Sequence, residues 1–416
     1  MRSNIDTLKE LGNEYFKDSF FNKPVKPVIR YGHNDLQIGK TFDGRVFTID
    51  IREAMRILFM GLTGAGKTFL FRTIGDRLLK IDQTVAYLTD IKNEFYSSKF
   101  PVQGKFQHML LPGEEPVGAK IVVLRPTFFQ ALSKTLPEHN VWYSVDMNEL
   151  SRADFMTLLN SQDLQPNQRT TLELIYQGMK KKLEEEDAGE LTYKDIVNIV
   201  DEMEEIDNRQ RNTIKFKLKP LEFSHFFDSN HTKNVAAAMK NGYVPAVNFE
   251  NFDSFGKGDL QYPEVTLNIV LREIIHARRA KKIKRCWIFI DEATRFVGND
   301  KHNCFKESVL ESIDVDRRFG VSYILAFQAL NDVPDKVLSQ SRYIFIPGAS
   351  DTQLIAKALV NTGCARNVQI SVNMAIRVKK RLAQQKYSWL VLDRKEARYD
   401  LILPLAPLSH HLEASR

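Results

Sequence analysis

The chain has few cysteines, no long apolar run and little excess charge, and each shortage closes off a class of protein. Only three cysteines, Cys286, Cys304 and Cys364, stand among 416 residues, and none forms a C-x-x-C pair. They supply neither a disulfide framework nor a cysteine zinc site, so a reducing compartment, the cytoplasm, is expected. No uninterrupted apolar stretch approaches the ~20 residues that a membrane-spanning helix needs. The N-terminus meets Lys9, Glu10 and Glu14 before any apolar h-region, which excludes an ordinary secretory signal. Net charge is +7, from 59 basic and 52 acidic residues, which permits a polyanionic partner without demonstrating one. Apolar residues make up 43% of the chain, enough for a large core and about two or three structural units.

What is present is an interrupted α/β pattern. Ile5, Leu8, Leu11, Tyr15 and Phe16 lie at helical spacing before Pro24 and Pro27. This predicts a short amphipathic helix, packed on its own domain or gripping a neighbouring subunit. Ile38 to Ile51 carries a hairpin signal around Asp43-Gly44, which completes an N-terminal segment over 1–50. From Ile57 the chain reads strand, glycine-rich loop, helix to about Leu79, strand Val85–Leu88, then the apolar run Ile121–Leu124. That alternation predicts a mostly parallel sheet covered by helices, the first part of a core over 51–125. Helical patterns dominate 126–243, which reads as an inserted helical subdomain. Strand runs return at Val244–Phe249, Trp287–Ile290, Val321–Phe327, Tyr343–Ile346 and Ser388–Leu392, so the core resumes over 244–402. The remainder, 403–416, reads as a tail that frays from about Ser409.

Gly61-Leu-Thr-Gly-Ala-Gly66-Lys67-Thr68 fits G-x-x-x-x-G-K-[ST] at every fixed position, between a strand run and a helix. In such a loop the backbone of Gly61, Thr63, Gly64, Ala65 and Gly66 curls round phosphate oxygens. The helix N-terminus at Lys67, Thr68 and Phe69 adds its positive dipole end. Lys67 would bridge β- and γ-phosphates, and the Thr68 hydroxyl would ligate Mg²⁺. Trp287-Ile-Phe-Ile290-Asp291-Glu292 is an apolar strand ending in two acids, which places Asp291 beside the metal and Glu292 beside the attacking water. The plainer reading of that pair is acid at a helix N-terminus. Together the motifs favour NTP hydrolysis over phosphoryl transfer to a metabolite. The chain has no Asn-Lys-x-Asp guanine-reading tetrapeptide, so ATP is the expected nucleotide. Far more chain separates Lys67 from Asp291 than compact nucleotide kinases place there.

Three further groups complete the candidate site. Gln328 ends the Val321–Phe327 strand, where parallel sheets bind ligands, and is a candidate γ-phosphate sensor. Asp90 and Glu94 follow the Val85–Leu88 strand toward the same edge. Arg317 and Arg318 precede the sensor strand, so they sit at its far end, away from their own phosphate site. In a ring they would instead meet a neighbour's γ-phosphate, and an arginine supplied in trans raises rates by ~10³ to 10⁵. A surface salt bridge is the plain alternative.

In order and spacing, these motifs resemble the HerA–FtsK group of ring-forming DNA-translocating ATPases, within it the HerA branch. The resemblance runs from about Gly39 to Ile402. It rests on the loop at Gly61–Thr68, on Asp90-Ile-Lys-Asn-Glu94-Phe, on Ile290-Asp-Glu-Ala-Thr-Arg-Phe296, on Arg317-Arg-Phe-Gly-Val-Ser and on Ala326-Phe-Gln328-Ala-Leu-Asn-Asp332 through Gln340. It implies a P-loop (RecA-like) fold and a hexameric ring that pumps duplex DNA through its pore with ATP and Mg²⁺. In that scheme Lys67 and Thr68 bind nucleotide and metal, Asp291 and Glu292 serve metal and water, Gln328 reads the γ-phosphate, Asp90 and Glu94 shape the site, and Arg317, or else Arg318, reaches across. Two departures stand out. The residues ahead of Ile57 are too few for the β-barrel that helps dock the family's nuclease partner, which leaves a nuclease or other effector without that element. Gln328-Ala-Leu-Asn stands where relatives usually show Gln-Arg-Pro-Ser. Alternatives with the same core are conjugation, secretion or viral genome-packaging ATPases, and beyond them a non-hydrolysing ATP-binding scaffold.

Basic clusters offer surfaces for nucleic acid. Arg278-Arg-Ala-Lys-Lys-Ile-Lys-Arg285 holds six positive charges in eight residues, and Arg377-Val-Lys-Lys-Arg381 lies near Lys386 and Trp389. The first equally suits the C-terminal end of a helix, whose dipole cations complement. Lys180–Lys182 and the stretch from Arg209 to Lys219 are further candidates within the helical insertion.

Overall fold

A computed structural model describes residues 34–62, 64–131, 140–159, 165–185, 191–204, 206–223, 226–227, 234–250 and 261–409. The amphipathic segment read over 4–22 lies outside them. Twelve strands form one sheet: β1 Asp35–Thr41, β2 Val46–Asp50, β3 Arg56–Met60, β4 Thr84–Asp90, β5 Ile121–Pro126, β6 Asn140–Tyr143, β7 Val244–Asn248, β8 Cys286–Ile290, β9 Val321–Phe327, β10 Tyr343–Pro347, β11 Trp389–Asp393 and β12 Arg398–Pro404. Their order is β2-β1-β12-β11-β10-β3-β9-β8-β4-β7-β5-β6. From β10 to β6 every neighbouring pair is parallel. From β10 to β2 every pair is antiparallel.

Side chains alternate across a strand, and parallel sheets bury both faces. In β3, Ile57 and Phe59 enter one core while Leu58 and Met60 enter the other, all fully buried. The first core receives α1 (Lys67–Lys80) through Leu70, Phe71, Ile74 and Leu78, with Phe59 stacked on Phe345 and edge-on to Phe71. The second core receives a larger helical layer. It comprises α2 Arg152–Leu158, α3 Pro166–Glu185, α4 Tyr193–Glu202, α5 Asn208–Phe223, α6 Val235–Lys240, α7 Tyr262–Arg279, α8 Ala293–Val297, α9 Cys304–Val315, α10 Asp335–Gln340, α11 Thr352–Asn361 and α12 Val368–Leu382. Capping boxes at Ser151 and Thr192 start α2 and α4, each side chain accepting from the N3 backbone while the N3 aspartate returns a bond.

The segment read as a helical insertion also supplies a strand: β6 pairs in parallel with β5 at the sheet's end. Four residues, Asn140-Val-Trp-Tyr, are too short for a period to stand out. The segment read as a tail contributes the last turns of sheet and core. β12 pairs with both β1 and β11. Leu405, Ala406 and Leu408 are buried behind it. Ser409, where fraying was expected to begin, is fully buried instead. Its N–H and hydroxyl donate to Asp76 Oδ2 at 2.8 and 2.7 Å, and its Oγ accepts from Arg72 at 2.9 Å. Among the described residues no helix is long and apolar enough to cross a membrane.

Candidate nucleotide site

The loop leaving β3 can be built only with glycine at its first turn. Gly61 has φ +131°, and a Cβ there would lie 2.6 Å from Pro347 Cγ on β10. Gly66 enters α1 in the left-handed conformation, φ 85°. Lys67 and Thr68 are therefore the first residues of α1, where backbone N–H groups have no intrahelical acceptors and the dipole end is positive. Lys67 Nζ donates to Gly61 O at 2.6 Å and Leu62 O at 3.0 Å. Burial pulls its pKa down, against the charges of Asp291 and Glu292.

Strands β4, β8 and β9 bring the remaining groups to the same edge, because they run parallel with β3. Thr68 Oγ1 donates to Asp291 Oδ2 at 3.1 Å, and Thr89 Oγ1 donates to the Asp291 carbonyl at 2.5 Å. Burial, with Glu292's charge adding to it, pushes the Asp291 carboxyl up to about 6, although Lys67 and Thr68 favour its charged form. Asp90 is buried at the end of β4 and accepts from the N–H groups of Glu94 at 2.8 Å and Phe95 at 3.2 Å. Burial, then repulsion from Glu94 and Asp291, raises it to about 7. Glu292 is the N-cap of α8 at φ 49°, ψ 39°. Asp291 and Glu292 thus do stand at a helix start, as the plain reading has it, but the Glu292 side chain makes no capping bond. Its Oε2 instead accepts from Gln328 Nε2 at 3.1 Å. A bulky residue held left-handed costs about 1–3 kcal/mol, and such outliers cluster at functional sites.

Of the residues named from sequence, Gly64, Gly66, Lys67, Thr68, Phe69, Asp90, Glu94, Asp291 and Glu292 line one cleft of about 200 Å³. Gln328 joins it through Glu292. Gly61 and Ala65 shape the loop, Ala65 N donating to Leu62 O at 3.3 Å; Thr63 lies outside the described residues. Arg317 and Arg318 lie elsewhere. The register Arg56↔Tyr323 and Met60↔Phe327 puts the start of β9 at the opposite sheet edge from the loop. There Arg317 pairs with Glu53 at 2.5 Å, and Arg318 lies over the Phe319 ring at 4.9 Å. With Arg52, Arg278 and Arg285 they rim a concavity of about 900 Å³.

The first basic cluster partly serves this edge structurally. Arg278 donates to Phe319 O at 2.6 Å and Ile283 O at 2.9 Å, and Arg279 forks onto Asp316 at 2.7 and 3.1 Å. In the second cluster, Lys379 on α12 donates to Gly348 O at 3.0 Å and to Ser350 O. Residues to which the sequence reading gave no role also take part in the site, among them Thr89, Thr294 and Asp332. Thr294 Oγ1 accepts from Gln328 N at 3.0 Å, and Asp332 Oδ2 accepts from Ala329 N at 3.1 Å. Single hydroxyls and loop carboxylates carry no spacing rule that marks them in a sequence.

Residues 36–257 match the family model described as "Helicase HerA, central domain". A search of curated proteins finds no match. Among solved structures, VirB4 of Thermoanaerobacter pseudethanolicus superposes with a TM-score of 0.53 at 12% identity, covering 91% of this chain and 98% of that one. The bacterial conjugative coupling protein TrwBΔN70 does so with a TM-score of 0.53 at 14% identity, covering 94% and 100%. At these identities the two structures establish the shared P-loop ATPase fold.

Proposed function

Because the chain belongs to the family of the HerA helicase central domain, we propose that it is an ATP-driven, ring-forming motor that moves duplex DNA and hydrolyses ATP where subunits meet. One observation carries the reading: the cleft and the arginine pair occupy opposite edges of a single sheet. A head-to-tail ring brings one edge of each copy to the other edge of the next, which completes a site that no single copy contains.

Within that site the glycine loop and the α1 N-terminus hold the phosphates, and Lys67 neutralises the β,γ bridge. Glu292 accepts a proton from water as its oxygen attacks the γ-phosphorus and the bond to the ADP oxygen breaks. Gln328, bonded to Glu292, reads whether the γ-phosphate is there. Asp90 and Glu94 shape the wall. Arg317 of the adjoining copy, or else Arg318, faces the charge that develops on the transferred group. The donor set fits Mg²⁺: a hydroxyl on Thr68 and a carboxylate on Asp291, hard oxygens 3.1 Å apart. Bound with the triphosphate, the ion would offset the charge of the phosphate oxygens.

The test is ATP turnover with and without duplex DNA, single-stranded DNA and RNA. A rise with duplex DNA is the expected result. Turnover indifferent to every nucleic acid sinks the DNA assignment, and dependence on a protein partner instead moves the chain to the secretion class.

A further inference from the structure

We propose that Thr294 and Asp332 are positioning residues that hold Gln328 against Glu292 and thereby set the geometry of water activation. The inference rests on the roles given to Glu292 and Gln328 above.

Gln328 is exposed at the tip of β9, and a long side chain there is otherwise free to leave its partner. Its backbone is fixed from α8. Gln328 N donates to Thr294 Oγ1 at 3.0 Å, which leaves the hydroxyl proton of Thr294 directed at Asp332 Oδ2, 3.4 Å away. The same carboxylate oxygen accepts from Ala329 N at 3.1 Å, so one anion orders the hydroxyl and the residue following Gln328. The far end of the loop is tied to the turn after α8. Asn299 N donates to Asp332 O at 3.0 Å, and its side-chain amide donates to Asn331 O at 2.8 Å and Val333 O at 3.1 Å. Glu292 stands two residues ahead of Thr294. A single short element therefore carries the acid and the hydroxyl that holds its sensor's backbone.

This sets an expectation for turnover apart from stability. Thr294→Val keeps the side chain's shape and removes the hydroxyl; Thr294→Ser keeps the hydroxyl. Thr294→Val removes the bond from Gln328 N and the bond to Asp332; it is expected to lower kcat about three- to tenfold, with KM for ATP unchanged and Tm lowered only slightly. Thr294→Ser should restore kcat, and Asp332→Asn should fall between the two. In a Glu292→Gln background, Thr294→Val should add almost nothing, because both changes act on one step. Wild-type kcat in Thr294→Val, when Glu292→Gln is impaired, overturns the clamp and leaves the role of Glu292 standing. Equal damage to kcat, KM and Tm also overturns it, since that is a purely structural effect. Wild-type turnover in Glu292→Gln refutes the underlying reading instead.

Discussion

In the proposed site Lys67 and Glu292 have separate roles, and their substitutions should separate them. Lys67→Ala removes the cation proposed to face the phosphates and is expected to abolish measurable ATP binding in a fluorescent-nucleotide titration. Glu292→Gln should keep binding and lose at least about 100-fold in steady-state turnover, the usual scale for a general base. A second expectation concerns Asp90, whose carboxyl sits near 7 in the fold. A raised acid contributes stability that is present below its unfolded value and lost as pH rises through the folded one. Without nucleotide, the Tm of the wild type relative to Asp90→Asn should therefore fall between pH 5 and pH 8. A constant difference across that range would show that Asp90 is ionised throughout. The glycine loop, Asp291, Glu292 and Gln328 were legible because each lies at a strand end in a spaced motif. Thr89 was not, since its contribution is one bond to the carbonyl of Asp291, fixed by two strands meeting far from each other in sequence.

At the scale of elements, α1 is fastened from behind by charges that the sequence gives no reason to pair. Arg77 meets Glu114 at 2.8 Å with both side chains essentially fully buried, and also donates to Ala406 O at 2.7 Å. Arg72, Asp76 and Ser409 form the adjoining group. Taking one partner from a buried pair typically costs about 3–5 kcal/mol, because the other stays desolvated. Glu114→Ala is accordingly expected to lower Tm by several degrees and to expose residues 405–409 to proteolysis, whereas Glu114→Gln should do less of both. The same segment shows where patterning runs out. Strong apolar runs gave β3, β4, β8, β9 and β10, but β12 opens with Arg398, Tyr399 and Asp400, and its burial comes from β1 and β11 on either side. An edge strand of four residues, β6, was equally silent.

For the whole molecule, the decisive prediction is complementation between two damaged copies. Arg317→Ala lacks the proposed trans group, and Lys67→Ala lacks the phosphate cation. If the chain forms the proposed ring, mixed assemblies would contain some interfaces with an intact Lys67 on one side and an intact Arg317 on the other. ATP turnover in the mixture should exceed that of either variant alone, by an amount that follows the fraction of such interfaces. No recovery at any ratio would remove Arg317 from the proposed trans role.

The strand order carries a mechanical corollary. β7, which follows the inserted helices in the chain, does not close the sheet beside them but lies between β4 and β5. It pairs Asn248 with Asp90, and Phe249 N donates to Asp90 O at 2.8 Å. Under the proposed function, a load applied to those helices, by a polymer or by an adjoining protomer, would pull on the strand stitched to the cleft wall. In the proposed motor, traction on the helices and chemistry in the cleft would share that seam.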